Sequence, residues 1–201
     1  MSQTEARGKK AQRAAARRAA ALRAKKRKRM VFLGVLAVAV VAVVIALIPE
    51  PLPEALASVE TFSNLGQDHI DPATQTPEYN SDPPTSGAHA PNSAACGIYR
   101  QPIPDMVQVH TLEHGAVLVQ YRPELDPADR DQLENFARQM GTHILVAPRP
   151  GLSDAVVLTG WTRMLRLEAF DMEPVTAFYD RFAQRGPEVG VPCVVSVDEG
   201  R

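Results

Sequence analysis

Between residues 30 and 48 the chain carries no charge, and nothing else in it limits the available architectures so sharply. These 19 residues are mostly Val, Ala and Leu. A helix rising about 1.5 Å per residue needs about 20 apolar residues to span the hydrocarbon core, so the run predicts a transmembrane helix. A cleaved signal peptide is the rival reading, since it too begins with a basic segment. Its apolar run is only roughly 7–15 residues long, however, and Pro49, Pro51 and Pro53 stand where small cleavage-site residues belong. An uncleaved signal anchor is therefore expected. Residues 1–29 hold 12 Lys and Arg with Glu5 the only acid. By the positive-inside rule this basic arm stays in the cytoplasm. The chain then crosses the cytoplasmic membrane once and places everything after residue 48 in a periplasmic, extracytoplasmic space. Because the arm abuts the span, anionic lipid rather than nucleic acid is its expected partner.

The composition changes across residue 48. All 17 prolines and both cysteines follow it. Of 22 basic and 23 acidic residues, 12 and one lie in the arm, which leaves 10 and 22 beyond it, a net charge near −12. Every basic residue there is Arg. So acidic a region is unsuited to nucleic acid. Residues 49–65, Pro-rich and without periodicity, read as a spacer. Residues 66–201 form one domain, long enough for a single core. Cys96 and Cys193, an even count in an oxidising compartment, read as a disulfide, with two free thiols acting as soft metal ligands as the alternative.

The second half of the domain predicts its own elements. Residues 116–121, 143–147 and 155–161 are β-branched apolar runs of strand length. Between the first two, Asp126 is a natural N-cap, Pro127 suits the first helical position, and Leu133, Phe136, Ala137 and Met140 form one apolar face before Gly141. A second helix starts at Asp171 and lines up Val175, Phe178, Tyr179 and Phe182. The expected domain is α+β, a small sheet with two packed helices, fronted by a long Pro-rich loop over residues 66–104.

The chemistry concentrates in VQVHTLEHGAVLVQY, residues 107–121, where His110, Glu113 and His114 precede Gly115. Two further histidines, His69 and His89, lie in the Pro-rich loop. His110-x-x-Glu113-His114 matches the H-x-x-E-H pattern of zinc peptidases, which requires a helix; Asp105 could cap one and Gly115 end it. A binding site without catalysis requires less. His110 and His114 supply two imidazoles, His89 or His69 a third, and Glu113, Met106 or Met164 complete the shell, a donor set suited to Cu or Zn. The bland reading is that the histidines donate to backbone carbonyls and brace the loop, as His143 at a strand start is expected to do. Ser86 near His89 lacks a G-x-S-x-G elbow and reads as turn chemistry. Trp161 with Arg163 and Arg166 could hold an anion, but packing is the simpler role. No Gly-rich phosphate loop is present.

The string Tyr79-Asn80-Ser81-Asp82-Pro83-Pro84-Thr85-Ser86-Gly87-Ala88-His89, then Gly97-Ile98-Tyr99, then His110-Thr111-Leu112-Glu113-His114-Gly115, resembles the bacterial family called domain of unknown function 3105. Ala147-Pro148-Arg149-Pro150, the segment LTGWTRMLRL at 158–167, and Gly186-Pro187-Glu188 extend the resemblance over residues 66–188. It implies a membrane-anchored extracytoplasmic domain and no established function. The reading is a domain that binds Cu or Zn through His89, His110, His114 and His69, helped by Glu113 or Met106. The alternative is a non-enzymatic module that meets other envelope proteins and uses its histidines as braces. A zinc peptidase is the lesser alternative.

Overall fold

The structure, a computed structural model, describes residues 23, 25–41, 43, 52–188 and 190–195. The chain divides into two compact units, Met1–Pro51 and Leu52–Arg201. In the first unit residues 25–41 are helical. Among the described residues no helix is long and apolar enough to cross a membrane. This corrects the transmembrane signal anchor over residues 30–48, and with it the single-pass localisation inferred from that anchor. The physical reason is length. Among the described residues the continuous helical stretch, 25–41, includes Lys25, Lys26, Arg27, Lys28 and Arg29, so its uncharged part, 30–41, is 12 residues where a span needs about 20. Residues 1–22 and 24 of the arm, and 42 and 44–48 of the apolar run, lie outside the described residues.

The second unit is an α+β domain. In chain order it comprises a 3-10 turn at Glu54–Leu56, β1 (Glu60–Thr61), β2 (Gly97–Ile98), α1 (Asp105–Glu113), β3 (Val117–Tyr121), α2 (Pro127–Met140), β4 (Ile144–Pro148), β5 (Val156–Gly160), β6 (Arg163–Leu167) and α3 (Met172–Phe182). The strands form one mixed sheet in the order β1-β6-β5-β3-β4-β2. β3 is central, parallel to β4 and antiparallel to β5, with Val119 opposite Val146 on one side and Leu158 on the other. Parallel neighbours need a crossover, and α2 provides it. Every residue of β3 and β5 is buried, as their near-continuous apolar sequence requires when both faces of a sheet are covered.

Register decides what covers each face, because side chains alternate along a strand. Gly160 lies on the face where α3 packs, since a Cβ built on it would meet Phe178 and Phe182 at 3.5–3.9 Å. The Phe136 and Tyr179 rings meet edge to face at 5.7 Å and put α2 beside α3. Val157 and Arg166, paired across β5 and β6, point to the opposite face. There Arg166 donates to the Asp82 carbonyl at 2.6 Å, so the loop of residues 66–104 forms that layer. Arg149 bridges Asp82 and Asp105, which sets the loop beside the first turn of α1.

Residues 52–65, expected as a spacer, contribute structure of their own. Leu56 is fully buried in the core, β1 is an edge strand on β6, and Phe62 N–H donates to the Thr162 carbonyl at 3.1 Å. Burial of one such leucine contributes about 1.5–3 kcal/mol. Cys96 and Cys193 form a disulfide with a Cα–Cα distance of 5.4 Å across a sequence separation of 97. A closed loop of that size stabilises by about 4–5 kcal/mol in the chain-entropy model.

Candidate metal centre

The loop folds back on itself to bring His69 and His89 together. His69 and His89 form an isolated parallel bridge, with Ile70 N–H donating to His89 O at 2.8 Å and His89 N–H to Asp68 O at 2.9 Å. α1 supplies the rest. His110 and Glu113 are three residues apart on this nine-residue helix, so they share a face. Asp105 does not cap α1. The N-cap is Pro104 without a side-chain hydrogen bond, and the Asp105 carboxylate is taken by Arg149. The helix ends at His114, and Gly115 follows at φ 83°, a left-handed turn that glycine adopts without strain.

The rings of His69, His89 and His110 lie 4.7–5.0 Å apart between centroids. One ligand atom from each of these residues and one from Glu113 all fall within 4.8 Å of one another. These four residues could hold a metal ion. Three of them are buried, and His69 is exposed. His89 Nε2 is 3.0 Å and His69 Nε2 3.7 Å from Glu113 Oε2. Donors bonded to one tetrahedral ion at about 2 Å stand roughly 3.3 Å apart, so these edges need little adjustment.

Backbone carbonyls set the orientation of two rings. His89 Nδ1 is 2.7 Å from Gly87 O, and His110 Nδ1 is 2.8 Å from Ala90 O. A carbonyl only accepts, so each Nδ1 carries the proton and each neutral ring keeps its lone pair on Nε2. The lone pair of His89 then faces a carboxylate oxygen, and acceptor facing acceptor requires a proton or a cation between them. Burial lowers the pKa of His110 below its usual 6.5; the Ala90 carbonyl opposes that, and His114, His89 and His69 beside it add to the lowering. The ring is therefore held in the neutral form that ligates a metal.

His114 stands next to this group and outside it. Its Nε2 is 3.0 Å from His110 Nε2 and 3.2 Å from Glu188 Oε2. Met106 enters the neighbourhood through its backbone, its carbonyl accepting from Ala90 N–H at 3.2 Å. Met164 is fully buried in β6. His143 makes no part of the cluster; its ring bonds Thr142 Oγ1 at 2.7 Å and Val191 O at 3.0 Å. Ser86 accepts from Leu65 N–H and donates to Ser63 O, the turn role expected of it. Arg163 is engaged with Thr162, Arg166 with Glu60 and Asp154, and Trp161 packs against the core.

Two participants are not among the site residues that sequence reasoning picks out. Gln67 Nε2 donates to Glu113 Oε1 at 2.7 Å and orients the carboxylate. It sits two residues before His69, the spacing that places side chains on one side of an extended chain. Glu188 belongs to the Gly186-Pro187-Glu188 string, but only the fold of that string against α1 reveals a partner for it. A family model described as "Protein of unknown function (DUF3105)" matches residues 69–195, more than half of the chain. No curated protein and no solved structure matches it.

Proposed function

The chain belongs to the DUF3105 family of proteins of unknown function, so the site itself must suggest the activity, and we propose that the domain binds one transition-metal ion, Zn or Cu, through His69, His89, His110 and Glu113. The observation that carries this is the inward-facing pair of acceptors, His89 Nε2 and Glu113 Oε2, 3.0 Å apart with the His89 Nδ1 proton already committed to Gly87. A cation between them satisfies both. Three imidazoles and a carboxylate suit Zn or Cu(II), and the absence of thiolate or thioether from the four disfavours Cu(I). Backbone carbonyls on two rings and Gln67 on the carboxylate are the outer contacts that hold ligands in place at metal sites.

A second reading has a specific observation behind it. A proton in place of the ion would make His89 an imidazolium paired with Glu113, a buried brace between loop and helix. The peptidase reading has less support. In that mechanism both histidines of H-x-x-E-H bind zinc and the glutamate stays free to activate water, whereas here Glu113 points among the ligands and His114 turns to Glu188.

Metal analysis of the chain purified without a His-tag tests the proposal. Close to one equivalent of Zn or Cu is expected, and stripping it should lower the melting temperature, since a ligand at about 100 times its Kd adds about 2.7 kcal/mol. A chain that carries no metal, and whose melting temperature does not move when Zn or Cu is added, has only the brace.

A further inference from the structure

We propose that His114 and Glu188 form an outer metal position that shares His110 Nε2 with the buried one, and that the ion exchanges through it. The inference rests on the metal-binding reading and assigns the route to that site. His114 Nε2 links two further donors, lying 3.0 Å from His110 Nε2 and 3.2 Å from Glu188 Oε2. Each of these two separations fits a pair of donor atoms about 2 Å from a common ion. The group grades outward: the His114 side chain is 16 % exposed and that of Glu188 48 %, whereas His110 is buried. His110 Nε2 has one lone pair and cannot serve both positions at once. An ion moving inward keeps its bond to His110 while it trades His114 and Glu188 for His89 and Glu113, so it is never without ligands.

The chain fixes Glu188 in this place. Gln184 N–H donates to Gly115 O at 2.7 Å, and Glu188 N–H to Glu113 O at 3.1 Å. Gly186 crosses between these bonds so closely that a Cβ there would overlap the Glu113 carbonyl oxygen and Gly115 N. Gln184 is held at φ 61°, a conformation uncommon outside glycine. Glu113 thus offers its carboxylate to the inner position and its carbonyl to the segment that carries the outer one. On the far side, His114 lines a cavity of about 390 Å³ together with Ala94, the Cys96–Cys193 disulfide and Val191, which leaves room for an ion to arrive. The rival route is His69, whose side chain is 47 % exposed.

Zinc uptake and release by the full chain decide between the routes, with stopped-flow mixing against a chromogenic zinc chelator. His114→Ala and Glu188→Gln should each keep one equivalent at equilibrium but load and release it about tenfold more slowly. Glu188→Gln carries the test alone if His114→Ala fails to fold, because Glu188 is half exposed. Wild-type rates in both variants would assign exchange to His69 and overturn the proposal. Loss of the equivalent in either variant would make that residue an inner ligand and overturn it as well. If the wild-type chain takes up no zinc and no copper, the failure lies in the metal-binding reading itself.

Discussion

Glu113 and Glu134 are both carboxylates removed from solvent, at 2 % and 4 % exposure, and their neighbours differ in kind. Around Glu134 stand Arg100, Arg130 and Arg138, cations at every physiological pH, with Arg138 at 3.0 Å and Arg130 at 3.7 Å. Burial pushes the Glu134 carboxyl up, but Arg100 and Arg138 outweigh it and hold the group below its usual 4.5. Around Glu113 stand His69, His89 and Gln67. Among the described residues no Arg or Lys pairs with it. The first carboxylate is neutralised by arginines and joins the segment just after β2, through Arg100, to α2. The second is neutralised only by groups whose charge is optional. A buried charge left to such partners is costly unless a cation is supplied, and that asymmetry separates a carboxylate braced by arginines from the one that the metal-binding proposal uses.

The comparison breaks most visibly at Glu113. Glu113→Ala should weaken zinc or copper binding by more than about 100-fold in a competition titration, and His110→Ala should do the same. Unchanged affinity in both would leave Glu113 as no more than another buried acid. Glu134→Gln is the converse, with a loss of about 1–2 kcal/mol in urea unfolding after allowance for the exposed arginines, and metal stoichiometry untouched.

Acid titration of the metal-free chain should separate the two regions again, by smaller steps. A His pKa lowered on folding means that the unfolded chain binds the proton more readily. The His110 contribution is therefore present above pH 6.5 and lost as pH falls below it through the folded value. The Glu134 carboxyl is also lowered, so its contribution persists until pH drops below 4.5. The urea midpoint should fall in both windows for the wild type, and only in the upper one for Glu134→Gln. A lower step that survives in that variant would mean that another acid is responsible. The smallest effect belongs to His143→Ala, a loss of about 0.5–1.5 kcal/mol from its two hydrogen bonds with no change in metal content. Metal loss there would extend the site to the tail at Val191.

The legible parts of the fold are those whose signal is local. α2 begins after Asp126 and ends before Gly141 at φ 69°, and α3 begins after Asp171, whose side chain accepts from Glu173 N–H. A cap, an apolar stripe or a β-branched run acts over a few residues, so β3, β4 and β5 can be read within a residue or two. Cys96 has only Cys193 to pair with. β1 and β2 are two residues each and exist only because β6 and β4 offer open edges. The uncharged run at 30–48 misleads in the other direction: its hydrophobicity is plain in the sequence, but among the described residues no helix is long and apolar enough to cross a membrane.

The candidate site divides in the same way. Residue type and proximity in sequence put His110, Glu113 and His114 on one helix, since three- and four-residue spacings share a face. Which of them turn toward His69 and His89 is settled across 21 and 41 residues of chain, by the parallel bridge of the loop and by carbonyls at Gly87 and Ala90 that orient the rings. Glu113, a secondary donor by spacing alone, becomes central, and His114 moves to the rim beside Glu188. Local chemistry fixes what a side chain is able to bind; only the closure of long loops fixes which side chains meet, because that closure depends on contacts no short stretch of sequence contains.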